Sequence, residues 1–227
     1  MTATPLPVVI LVSGRGSNMQ ALLEAGADPE VPLDVRAVIS NRPAAPALER
    51  AHAAGVATEV VDHAAFATRT AFDEALMAAI DRHEPRLVLL AGFMRILTPA
   101  FIEHYRQSLL NIHPSLLPDL TGLNTHARAL AAGHREHGAT VHFVTTELDA
   151  GPGVLQAPVP VLADDDADTL AERVLRQEHR IYPRAVRWYA EGRLRFDGER
   201  AWLDGAPLTT PVIDKEAWHA EPAGGTD

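Results

Sequence analysis

Asn111 and His113 sit two residues apart in the run Leu109-Leu110-Asn111-Ile112-His113-Pro114-Ser115-Leu116-Leu117-Pro118. In an extended strand, residues i and i+2 project from the same face. An amide and an imidazole would then meet one ligand atom. The amide can donate to a developing oxyanion, and the imidazole can donate or shuttle a proton. The alternative is a histidine that only closes a strand end. A second segment, Ser13-Gly14-Arg15-Gly16-Ser17-Asn18, lies between an apolar run and a helical pattern. Glycines there let the backbone approach a ligand, and a helix start offers free N–H groups to an anion. The segment is neither the full dinucleotide fingerprint nor a lysine-bearing phosphate loop. Its alternative is a tight turn with Ser17 as helix cap. A third segment, Glu147-Leu148-Asp149-Ala150-Gly151-Pro152, carries a loop carboxylate. Asp149 could orient His113 if the fold joins them; otherwise it is a solvated turn residue.

Eleven histidines invite a metal reading. His134 and His137 could share a helix face, but no third ligand follows at matching spacing, so no metal site is expected. His52, His63, His83, His104 and His219 read as surface residues. Phe93-Met94-Arg95-Ile96-Leu97 could hold a flat ring with an acidic tail, or simply join the core.

These groups need elements to hold them. Val8 to Val12, Val35 to Ile39, Val56 to Val61 and Leu87 to Ala91 are short apolar runs bounded by turn residues. Met19 to Ala25 and Ala44 to Ala54 read as helices between them. From Thr68 to Arg82, Phe72, Leu76 and Ile80 recur every four residues on one helical face. Such alternation predicts an α/β fold with a Rossmann-like, doubly wound, mostly parallel sheet, and ligands at the carboxyl ends of the strands. Thr140 to Thr145 and Val154 to Val161 read as further strands. Asp166 to Tyr189 is a long C-terminal helix that Pro183 should kink or divide. Asp197-Gly198 marks a terminal β-hairpin between residues 193–196 and 200–203. The expectation is one domain over residues 1–227, frayed from about Asp214.

Composition narrows the function classes. The chain has 227 residues, no cysteine and a formal net charge of −10. Disulfides, thiolate metal sites and a cysteine nucleophile are excluded. The acidic balance argues against a nucleic-acid partner. No apolar run is long enough to span a membrane, and residues 1–18 lack a cationic start, so no membrane partner and a cytoplasmic location are expected.

Taken in chain order, the motifs resemble those of the phosphoribosylglycinamide formyltransferases, a folate-dependent family. The resemblance rests on SGRGSN at 13–18, AGFMRIL at 91–97, NIHPSLLP at 111–118, GLNTH at 122–126, VHFVTTELDAGP at 141–152 and QEHRIYP at 177–183. It runs from about Val8 to Gly205. It implies transfer of the formyl group of 10-formyltetrahydrofolate, a co-substrate, to the amine of glycinamide ribonucleotide, without a metal. Asn111 and His113 would stabilise a tetrahedral intermediate, and Asp149 would assist proton transfer. Gly16, Ser17, Asn18 and Met19 would take the substrate phosphate, and Glu178 its ribose. Met94, Arg95, Ile96, Leu97, Thr145, Thr146, Glu147 and Leu148 would hold the folate, with Arg69 and Arg95 at its acidic end. His126 and His142 would lie behind the catalytic set. Asn124, Ala150, Thr146 and Asp119 stand where the family commonly has His, Gly, an acid and Lys. The resemblance leaves a monomer or weak homodimer as the expected state. The competing readings are another formyl-folate enzyme, such as a hydrolase or an initiator-tRNA or sugar-amine formyltransferase, and a non-catalytic nucleotide-binding module.

Overall fold

The computed structural model describes residues 4–28 and 31–215. Its main sheet has eight strands: β1 (Leu6–Val12), β2 (Leu33–Ser40), β3 (Ala57–Val60), β4 (Leu87–Leu90), β5 (Leu109–His113), β6 (Glu136–Phe143), β7 (Gly153–Pro160) and the short β11 (Val212–Ile213). Their order across the sheet is β11-β7-β6-β5-β4-β1-β2-β3. Pairings from β3 through β5 are parallel, β6 runs antiparallel to both β5 and β7, and β11 is parallel to β7. The expected mostly parallel α/β fold is therefore present.

Alternation along β1 explains why the sheet is covered on both faces. Val8, Ile10 and Val12 enter one apolar layer, with Met19, Leu22 and Tyr182. Val9 and Leu11 enter the other, with Phe72, Leu76, Ile80 and Phe101. The first layer is roofed by α1 (Ser17–Gly26), α2 (Pro46–Ala53), α5 (Thr125–Ala131) and α6 (Ala167–Ala190). The second is roofed by α3 (Arg69–Asp81) and α4 (Pro99–His104). A strand buried on both faces must be apolar throughout, which is the pattern read in residues 8–12.

Four expectations need correction. β6 begins at Glu136 and ends at Phe143, earlier than the run 140–145, so His134 and His137 share no helix. The helix α6 passes through Pro183 without ending. The proline withholds an N–H from the His179 carbonyl, but Ile181, Tyr182, Ala185 and Val186 are buried around it and keep the helix docked. The hairpin of β8 (Leu194–Phe196) and β9 (Ala201–Leu203) gains a third strand, β10 (Ala206–Pro207). Asp214 is buried beside Arg180 and Arg184, so the chain is still fixed where fraying was expected. His219 and the rest of the expected frayed tail beyond Lys215 lie outside the described residues. Among the described residues no helix is long and apolar enough to cross a membrane.

The β6–β7 pair carries two constraints that shape the site. Register shifts between Val141 and His142, leaving Val154 as an extra residue on β7. Such a bulge re-aims the strand end. Just beyond, a Cβ at Gly151 would overlap the Phe143 carbonyl oxygen, so the loop closes only with glycine there. Strand β6 also buries two imidazoles, His137 and His142. Burial holds each down at about 4, with His126 adding to the effect on His137 and Asp149 opposing it at His142.

Two outcomes follow. Gly151→Ala lowers stability by about 1–3 kcal/mol, read by denaturant melts, and an unchanged midpoint would contradict the close approach. Both imidazoles have folded-state pKa values below the unfolded value near 6.5. The unfolded chain therefore binds more protons between about pH 6.5 and 4, and stability falls as pH drops through that window. Thermal melts should show Tm about 5–10 °C lower at pH 5 than at pH 7.5. His137→Gln should flatten that dependence.

Candidate active site

Strand β5 delivers Asn111 and His113 to the carboxyl edge of the sheet, on one face as their spacing requires. Antiparallel β6 then places His142 directly opposite Asn111. The Asn111 amide nitrogen lies 3.1 Å from His142 Nε2, and His142 Nδ1 lies 3.0 Å from the Phe143 carbonyl oxygen. A carbonyl can only accept, so Nδ1 carries the proton and Nε2 presents a lone pair to Asn111. The low pKa of the buried ring keeps it neutral and preserves that role. This fixes which way the Asn111 amide points. One Nδ2–H is taken by His142 and the other is left to donate.

Asp149 reaches the same place from the β6–β7 loop. Its backbone is left-handed, at φ 53°. Its carboxyl accepts from Gly122 N at 2.8 Å, lies 3.6 Å from His113 Nδ1 and 4.0 Å from His142 Nε2. His113 Nε2 is 3.0 Å from the carbonyl of Leu120, itself left-handed at φ 56°. Backbone strain thus clusters around the imidazole, as it does at sites whose geometry is fixed by function. Asn124 is also left-handed and precedes α5, where asparagine is the side chain best suited to that conformation. The glycine-demanding position in the 147–152 loop is Gly151, and the left-handed residue is Asp149, so Ala150 sits without strain.

Helix α1 starts one strand away from β4. Its N-cap is Gly16, not Ser17, with φ 75° and no capping side chain. Glycine is required there by the backbone angle and by contact with Ala47, not only by ligand approach. The first-turn N–H groups of Ser17, Asn18 and Met19 precede the first helical bond, Gln20 N to Gly16 O. Met19 is wholly buried, so only its backbone is available. The Asn18 amide donates to Glu178 Oε2 of α6 at 2.5 Å, joining two residues 160 apart in sequence. Burial raises the Glu178 carboxyl above the ordinary range, and Asn18 partly opposes this.

The loop after β4 forms the other wall. Met94 and Ile96 are 61% and 56% exposed, and Leu148 in the β6–β7 loop is 55% exposed. Leu97 packs into the second apolar layer, so its side chain belongs to the core. Arg95 lies over the Phe72 ring at 4.5 Å. Arg69 opens α3 one turn before Phe72, so both arginines border the same helix start. Thr145 closes its own loop by donating to the Glu147 carbonyl at 3.3 Å, and Thr146 and Glu147 are exposed.

Sequence reading missed Leu120 O and Gly122 N, because backbone groups leave no mark in residue type. It pairs His137 with His134, whereas His137 is buried 3.1 Å from His126. Asp73 is buried next to Phe72, and a carboxylate beside an apolar helical stripe is the sequence signal for it.

Comparison with known proteins gives the family. The family described as Formyl transferase matches residues 6–186. Phosphoribosylglycinamide formyltransferase of Escherichia coli K12 is 53% identical over 201 residues, covering 88% of this chain and 95% of that protein. A solved phosphoribosylglycinamide formyltransferase from Coxiella burnetii is 47% identical with a TM-score of 0.87, covering 92% of this chain and 99% of that one. The human trifunctional purine biosynthetic protein adenosine-3 is 41% identical over 198 residues, which is 86% of this chain but 20% of that protein. The chain belongs to the formyl transferase family and, within it, to the phosphoribosylglycinamide formyltransferases.

Proposed function

We propose that this chain, acting as a single cytoplasmic domain, transfers the formyl group of 10-formyltetrahydrofolate to the amine of 5-phosphoribosylglycinamide. The observation that carries the reading is the convergence of an oriented amide, an imidazole and a carboxyl group at the end of β5. The folate co-substrate supplies the formyl carbon. The residues present suit it: exposed Met94, Ile96 and Leu148 offer apolar contact, while Arg69 and Arg95 offer charge to its acidic end. Leu97 contributes backbone alone, as do Thr145, Thr146 and Glu147 where they meet the ring.

Attack by an amine on a formyl carbon places negative charge on the carbonyl oxygen. Asn111 donates its free Nδ2–H to that oxygen, and preorganised donors are the largest source of stabilisation in such transfers. His113 gives its Nε2–H, held by the Leu120 carbonyl in the free protein, to N10 of the folate as the bond from N10 to the formyl carbon breaks, so that tetrahydrofolate leaves and the proton shed by the amine restores the balance. Asp149 lies on the other side of that ring, stabilises its charged form and assists removal of the amine proton. The substrate phosphate sits against the first-turn N–H groups at Gly16 to Met19, where the helix dipole favours an anion. The Asn18–Glu178 pair faces its ribose.

A steady-state assay with both substrates tests the reaction, and turnover dependent on the amine acceptor is expected. Formate release without any acceptor would overturn it in favour of a hydrolase. His113→Ala should lower kcat by about 10²–10⁴ while the melting temperature stays within a few degrees. Near-normal kcat in a folded variant would contradict the assignment.

A further inference from the structure

The Ala91–Thr98 loop is held at both ends by buried side chains from outside the catalytic set. At one end Ser13 Oγ, just after β1, accepts from Met94 N at 2.7 Å and donates to Asn41 Oδ1 at 2.7 Å. At the other end Asp73 Oδ2 of α3 accepts from Thr98 N at 2.6 Å. Between these anchors the loop is neither helix nor strand. It turns Met94 and Ile96 outward and lays Arg95 over Phe72, the residue before Asp73.

Asp73 is 1% exposed on the apolar stripe that α3 presents to the core. A carboxyl group there is costly unless hydrogen-bonded, and one of its oxygens, Oδ1, has no partner. Arg95 Nε is likewise buried without one. Packing alone would favour an apolar residue at position 73, which would remove an orphaned acceptor. What the carboxyl does provide is a fixed position for Thr98 N and so for the loop that ends there.

We infer that Asp73 and Ser13 are positioning residues for the exposed Met94–Ile96 platform, and that they set affinity for a flat-ringed, folate-type co-substrate without touching it. The inference rests on the folate-side reading of this loop given above. Both residues act through backbone N–H groups, so their effect falls on one substrate and not on the other.

Steady-state kinetics on the full chain, with each substrate varied in turn, separate this from a general structural role. Asp73→Ala and Ser13→Ala should each raise KM for 10-formyltetrahydrofolate about tenfold, with KM for glycinamide ribonucleotide within about twofold. Asp73→Asn keeps an amide oxygen to accept from Thr98 N and should stay within about threefold of the parent. Equal rises in both KM values, no change in a folded variant, or an Asn variant as impaired as the Ala variant would overturn the inference. If Asp73→Ala does not fold, Ser13→Ala and Asp73→Asn decide it on the same criteria. Absence of turnover in the parent chain would instead overturn the proposed reaction. The positioning role is then read from calorimetric titration with tetrahydrofolate, where a tenfold weaker Kd for Ser13→Ala supports it and an equal Kd overturns it.

Discussion

Asp149 holds a left-handed backbone and turns one carboxyl group toward Gly122 N and His113 Nδ1, with His142 Nε2 4.0 Å away and facing Asn111. Each contact needs a different part of the fold. His113 requires β5 at its place in the sheet, His142 requires the reversal of β6 against β5, and Gly122 requires the Pro114–Asn124 loop to return over the strand edge. Gly151 lets that carboxyl arrive, because only a residue without Cβ fits against the Phe143 carbonyl. The site is therefore a property of the sheet's switch from parallel to antiparallel pairing, at the edge where α/β sheets bind ligands.

Burial does the remaining electrical work. His142 is held neutral by desolvation, although a carboxyl group stands nearby. A neutral ring with its proton on Nδ1 can only accept at Nε2, and this sets the Asn111 amide. Glu178 is pushed the opposite way by the same cause, since burial disfavours whichever form carries charge. A chain with a net charge of −10 thus keeps donors, not carboxylates, facing the proposed anions: backbone N–H groups at α1 and guanidinium groups at Arg69 and Arg95.

Much of this was legible in residue order. The all-apolar runs at 8–12 and 87–91 announce strands buried on both faces, and the Phe72, Leu76, Ile80 spacing announces the face of α3. The Asn111 and His113 spacing announces a shared strand face, since side-chain period in a strand is two. What was not legible depends on pairing between distant segments. Asp149 is 36 residues beyond His113, and no local pattern states that they meet. Strand β6 starts before the apolar run 140–145 because its first residues, Glu136, His137 and Gly138, are poor strand formers that pairing with β7 overrides. Pro183 signals a kink or a division because local geometry opposes it, while the buried stripe around it keeps the helix from dividing. Residue type offers Ser17 as a cap in the alternative to anion binding, but the left-handed angle at Gly16 moves the helix start by one residue.

The central claim is that Asp149 and His113 act as one unit. A double-mutant cycle on kcat measures that directly, with His113→Ala, Asp149→Asn and the double variant compared with the parent chain. If the two groups work as a unit, the double variant is no slower than the slower single variant by more than about threefold. If the two losses multiply, each residue acts alone, and the account given for the carboxyl group at the end of β5 is wrong.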